Sequence, residues 1–113
     1  MWDSDLLRSL LTELRRGTLT LAVLSQLRQP QYGYYLLQRL EEQNIRIEAN
    51  TLYPMLRRLE KQELLKSDWD TAESRPRKYY VLSDLGQEVY RSLRIEWEQI
   101  QKEMSALMKE DEK

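Results

Sequence analysis

Leu6, Leu7, Leu10, Leu11 and Leu14 recur three and four residues apart, which puts them on one stripe of a helix running to about Arg15. Asp3 or Ser4 is the expected cap, and Gly17 is the expected stop. Thr18 then caps a second predicted helix, about Leu19 to Arg28, with Leu19, Ala22, Val23, Leu24 and Leu27 turned inward. Gln29 to Gly33 has the composition of a turn. Leu36, Leu37 and Leu40 mark a third helix to about Gln43, and Ile45-Arg46-Ile47 alternates like a very short strand.

A fourth helix is predicted from Ala49 or Asn50 to Gln62, with Asn50 as cap and Pro54 near its start. Leu52, Met55, Leu56 and Leu59 form its inner side, leaving Thr51, Tyr53, Arg57, Arg58 and Lys61 outside. Leu64–Trp69 and Lys78–Leu82 read as paired strands around a polar loop, Asp70 to Pro76. Ser83 caps a last helix reaching about Lys109, striped by Leu85, Val89, Leu93, Trp97, Ile100, Met104 and Leu107. The expected fold is mainly α with a small β-hairpin: a winged helix-turn-helix with an N-terminal helix and a long C-terminal dimerisation helix. Its expected parts are an N-terminal interface helix (1–16), the winged unit (17–83) and the dimerisation helix with a short disordered tail (84–113).

Composition narrows the chemistry. The chain of 113 residues has no cysteine and no histidine, so zinc, copper and haem sites of the usual kinds are not expected. Imidazole-based catalysis and thiol nucleophiles are excluded by the same absence. The remaining carboxylates are interspersed with lysines and arginines, as on a solvated surface, so no enzyme activity and no cofactor are expected. No apolar run approaches the roughly 20 residues needed to span a bilayer, and the acidic start does not resemble a signal peptide. A cytoplasmic protein without a membrane partner is expected.

The net charge of −1 does not mark a nucleic-acid binder, but the distribution of charge does. Asn50, Thr51 and Tyr53 open a helix of the size that enters a major groove, where N-terminal residues reach base edges. Arg57 and Arg58 suit either phosphates or a guanine edge, and the sequence leaves both roles open. Arg75, Arg77 and Lys78 lie where a hairpin wing would straddle the neighbouring minor groove or its backbone. The competing reading is a winged helix used only for protein–protein contact, as an adaptor without specific DNA binding.

Arg16-Gly17-Thr18-Leu19, Tyr32-Gly33-Tyr34, Asn50-Thr51-Leu52-Tyr53-Pro54, Leu56-Arg57-Arg58-Leu59-Glu60 and Arg77-Lys78-Tyr79-Tyr80-Val81-Leu82 with Gly86 together resemble the PadR family of transcriptional regulators. The resemblance spans about Arg15 to Leu93 and, with one C-terminal helix, points to the family's small subgroup. It implies a winged-helix homodimer that represses from a palindromic operator on double-stranded DNA. In some members a ligand releases the operator.

The seven-residue stripe of the last helix needs another surface to cover it. Leu7, Leu11, Leu85, Val89, Leu93, Trp97, Ile100, Met104 and Leu107 are therefore the expected dimer contacts. Trp97, mid-stripe, matches the tryptophan that walls a drug pocket in multidrug-binding members of the family. The resemblance thus leaves two roles open for Trp97: holding a planar aromatic or phenolic effector by stacking and cation–π contact, or simply filling the interface.

Overall fold

The computed structural model describes residues 4–109. The elements run α1 (Ser4–Ser25), β1 (Gln31–Tyr32), α2 (Gly33–Glu42), α3 (Ala49–Lys61), β2 (Leu65–Asp70), β3 (Arg77–Leu82) and α4 (Asp84–Met108). The mainly helical winged fold read from the sequence is therefore present, with a three-stranded antiparallel sheet ordered β1-β3-β2. The cap expected at Asp3 and the disordered tail expected at 110–113 lie outside the described residues.

Three local expectations are corrected. The two helices predicted before Arg28 are one, because α1 continues through Gly17 without a break. An exposed glycine in a helix interior costs only about 1 kcal/mol, which packing on either side of it offsets. The Thr18 hydroxyl donates to the Arg15 carbonyl 2.8 Å away, within the same helix, and so does not cap a new one. Residues 16 and 17, the expected boundary between two parts, thus lie inside α1.

The short strand is elsewhere too. Ile45-Arg46-Ile47 has no strand structure. Its alternation reflects packing, since Ile47 is buried and Ile45 half-buried against the core. Gln31 and Tyr32, read as part of a turn, instead pair with Tyr80 and Tyr79 and cover the free edge of β3. Nor does Asn50 cap α3, whose N-cap is Glu48 without a side-chain bond. The Glu48 carbonyl instead accepts the amides of Thr51 and Leu52, which frees the Asn50 side chain on the exposed front of α3.

The core forms where these elements converge. Val23 and Leu24 of the α1 end and Leu27 just beyond it pack with Leu36, Leu40, Leu52, Leu56 and Leu59, and Leu65, Tyr80, Leu82 and Tyr90 close it from the sheet and α4. Tyr90 is absent from the apolar stripe read for α4 because it lies on the flank facing this core. Beyond the core, the first half of α1 and most of α4 project outward, giving a molecule of 61 × 35 × 23 Å.

One joint fastens α4 to the winged unit. The Ser83 hydroxyl accepts the Gly86 amide 2.9 Å away, as the sequence leads one to expect of a cap, and it donates to the Glu63 carbonyl at 2.7 Å. The Ser83 amide donates to the Leu64 carbonyl at 3.0 Å. Glu63 adopts a left-handed conformation (φ 65°) to make the tight turn from α3 into β2. Gly86 sits against that turn so closely that a Cβ there would lie 2.0 Å from the Leu64 carbonyl oxygen. Gly86→Ala is therefore expected to destabilise the fold by about 3 kcal/mol, the upper range of overpacking costs, read as a lowered denaturation midpoint.

Candidate nucleic-acid interface

The exposed surface of α3 is sorted by helical geometry. Leu52, Met55, Leu56 and Leu59 are buried. Asn50, Pro54, Arg57 and Lys61 recur at i, i+4, i+7 and i+11 along the outermost line, and all four are exposed. Thr51 and Arg58, exposed as well, flank this line on one side, while Tyr53 and Glu60, half-buried, flank it on the side of the hairpin. Pro54 is the sixth residue of α3, so the Asn50 carbonyl lacks the amide donor that a helix supplies four residues on.

Tyr53, grouped with the outward residues on sequence grounds, has a more enclosed position. Its ring packs on Gly33, where a Cβ would lie 2.8 Å from the ring edge. Together with Tyr32, Tyr34, Arg77, Lys78 and Tyr80 it lines a cleft of about 190 Å³ where the start of α2, α3 and the hairpin meet. Tyr34, named in the Tyr32-Gly33-Tyr34 motif but not among the expected site residues, is exposed at this mouth. The signal available was its position directly after the glycine that opens α2.

The hairpin register pairs Asp70 with Arg77 and Trp69 with Lys78. The cations expected at the wing differ in their surroundings. The Arg77 guanidinium lies 3.9 Å from the Asp70 carboxylate and 3.5 Å from that of Glu73. It also stacks over the Tyr32 ring, 4.4 Å from its centre. Lys78 lies 3.5 Å from the Glu60 carboxylate, and 5.9 and 5.3 Å from the centres of the Trp69 and Tyr80 rings. Glu60 also accepts from the Ser67 hydroxyl, so one carboxylate at the end of α3 holds both strands of the hairpin. Arg57, Arg58, Lys61 and Arg75 are in no ion pair among the described residues. Solvent-accessible pairs contribute about 0.2–1 kcal/mol each, and all of these pairs keep part of both side chains in water, so a phosphate can displace the carboxylate.

Residues 20–92 match the family model described as the transcriptional regulator PadR-like family. The chain belongs to that family. A PadR-family transcriptional regulator from Eggerthella lenta is 50% identical and superposes with a TM-score of 0.85, covering 92% of this chain and 93% of that one. A Streptococcus transcriptional regulator is 28% identical with a TM-score of 0.78, over 86% of this chain and 98% of that one. An uncharacterized protein of Lysinibacillus sphaericus is 29% identical over 86 residues, 73% of this chain and 79% of that protein. PadR-like proteins regulate transcription and are not enzymes, so the winged unit is that of a DNA-binding regulator. No helix among the described residues is long and apolar enough to cross a membrane.

Away from the winged face, this PadR-like chain exposes the two apolar stripes read from its sequence. Leu6, Leu7, Leu10, Leu11 and Leu14 of α1 are 39–73% exposed, and Leu85, Leu93, Ile100, Met104 and Leu107 of α4 are 40–69% exposed. Val89 and Trp97 are half-buried. Where α1 and α4 run side by side, Leu14, Leu21, Leu93, Trp97, Ile100 and Met104 are prominent in the lining of an open cleft of about 720 Å³.

In the wing, Asp70 is held below the usual carboxylate range, first by the hydrogen bond donated by the Tyr32 hydroxyl, then by the Ala72 amide, with Arg77 adding to both. The same bond raises the Tyr32 phenol. A depressed carboxyl favours the folded wing above its ordinary titration range, and that contribution is lost as pH falls through the depressed value. Tyr32→Phe removes the largest cause, so Asp70 is expected to titrate closer to its ordinary value of 3.8. Carboxyl carbon NMR over an acid titration reads this directly; an unmoved Asp70 would mean that the tyrosine bond does not set its acidity.

Proposed function

We propose that this PadR-like protein is a cytoplasmic homodimeric repressor. It binds a palindromic operator and releases it when a planar aromatic compound enters the dimer interface. The observation that supports this best is the face formed by α3 and the wing. Exposed Asn50 and Thr51 open the helix, Arg57, Arg58 and Lys61, in no ion pair among the described residues, follow along it, and Arg75 stands at the wing tip. A helix start suits base edges and cations suit phosphates, so one end of α3 specifies and the rest positions. Arg77 and Lys78 join the backbone contacts by exchanging their carboxylate partners for phosphate, and Tyr53 frames the adjoining cleft.

Dimerisation follows from the stripes. Two long helices with uncovered leucine, isoleucine and methionine side chains form an apolar surface that a monomer rarely leaves in water. A second copy covers it symmetrically, placing two copies of α3 on one side of the duplex, about 34 Å apart for successive major grooves. The α1–α4 cleft lies within this surface, and its volume of about 720 Å³ is in the range of small-molecule sites. Trp97 offers a ring face there to a flat or cationic guest.

Selection of bound duplexes from a random pool tests the reading. A recovered palindrome with half-sites one helical turn apart is expected; no enrichment would favour the protein–protein adaptor. In a salt series, replacing both Arg57 and Arg58 by Ala should flatten the log–log dependence of affinity by about 0.9 for each phosphate that is no longer neutralised. An unchanged slope removes them from the interface.

The interface has its own test. Leu14→Glu should convert a sedimenting dimer to monomer and abolish the quenching of Trp97 emission by planar aromatic dyes. Trp97→Ala should leave the dimer intact and lose only the quenching. A dimer that survives Leu14→Glu, or quenching that survives Trp97→Ala, contradicts the respective assignment.

A further inference from the structure

The wing carries its own acid. Of the three cations at its tip and on β3, Arg75 is in no ion pair among the described residues, whereas Arg77 is held between Asp70 and Glu73 and Lys78 is held by Glu60. These pairs are not incidental contacts of freely moving chains. Asp70 is fixed by the Tyr32 hydroxyl and the Ala72 amide, and Glu60 by the Ser67 hydroxyl. Arg77 is confined further by the Tyr32 ring beneath it. The carboxylates thus occupy defined places around the two cations nearest the α3 cleft, where DNA phosphate would have to enter.

We propose that Asp70, Glu73 and Glu60 are built-in competitors for DNA phosphate, which hold Arg77 and Lys78 back from indiscriminate backbone contact and so sharpen the choice of operator. The inference rests on the proposed duplex binding. Its physical basis is that an intramolecular carboxylate and a phosphate oxygen satisfy the same guanidinium and ammonium donors. A cation already paired gains less from a backbone met at random. It exchanges partners only where the remaining contacts hold the duplex long enough at the right distance. Non-specific affinity, made almost entirely of phosphate contacts, falls more than operator affinity does.

Glu73 makes the cleanest test because its side chain is 70% exposed and its carboxylate pairs only with Arg77 among the described residues. Asp68 supplies the control: it lies on the same hairpin and carries the same charge, but among the described residues its carboxylate accepts only the Trp69 amide. Binding of a labelled random-sequence duplex is followed between about 50 and 200 mM salt. Glu73→Gln should steepen the log–log slope by up to about 0.9 for each wing engaged. That corresponds to an extra change of about 3.5-fold in affinity over this fourfold range of salt. It should also lower the ratio of operator to random affinity. In an Arg77→Ala background the effect of Glu73→Gln should fall to the smaller size of that of Asp68→Asn, which itself should persist.

The proposal is overturned if Glu73→Gln and Asp68→Asn act equally with Arg77 present, or if the Glu73→Gln effect keeps its full size after loss of Arg77. Either result would reduce the wing carboxylates to a general charge effect. A wild-type chain that binds neither operator nor random duplex overturns the DNA reading itself, which keeps the two failures apart.

Discussion

The arrangement of this molecule depends on the joint at Ser83. One hydroxyl begins α4 by accepting the Gly86 amide and at the same time ties the turn after α3 by donating to the Glu63 carbonyl. The neighbouring amides extend the tie, Ser83 to Leu64 and Leu82 to the Leu27 carbonyl just beyond the end of α1. Three helices are thereby fixed to one short stretch of chain. Packing of leucines alone tolerates sliding, whereas hydrogen bonds to backbone carbonyls specify position. The angle between α3 and α4 is set at this joint.

Much of the fold was legible because its signals are local. The stripes of α3 and α4, the Ser83 cap and the two hairpin strands each follow from spacing within a single segment. The misreadings share a cause: tertiary structure overrode a local preference. Gly17 and Thr18 look like an end and a beginning, yet the leucines before and after them belong to one helix. Gln31 and Tyr32, between Pro30 and Gly33, are too short a run to read as a strand and are extended because β3 offers an unpaired edge. Ile45 and Ile47 alternate for burial rather than for pairing.

The candidate site divides along the same line. Which residues of α3 face outward was readable from its period, and Asn50, Thr51, Arg57 and Arg58 are exposed as expected. What no spacing reveals is company. That Arg77 rests on the ring of Tyr32, far from it along the chain, or that Lys78 meets a glutamate of α3, depends on contacts between elements. A row of basic letters therefore overstated the free positive charge of the wing, and Glu60, a letter with no motif around it, proved to hold α3 to the hairpin.

The unbroken course of α1 has a geometric consequence. Its last turns are anchored by Val23 and Leu24, both fully buried, while its first turns stand clear of the core. At about 1.5 Å per residue, 22 residues make a rod roughly 33 Å long without a hinge. In the proposed dimer such a rod behaves as the leg of a calliper: a small tilt at the leucine end is returned, undiminished, as a displacement of the reading heads. It also constrains the chain's length. One residue inserted before Gly17 would turn the leucine face by about 100° relative to the winged unit, whereas the loop between β2 and β3 can change length without disturbing either.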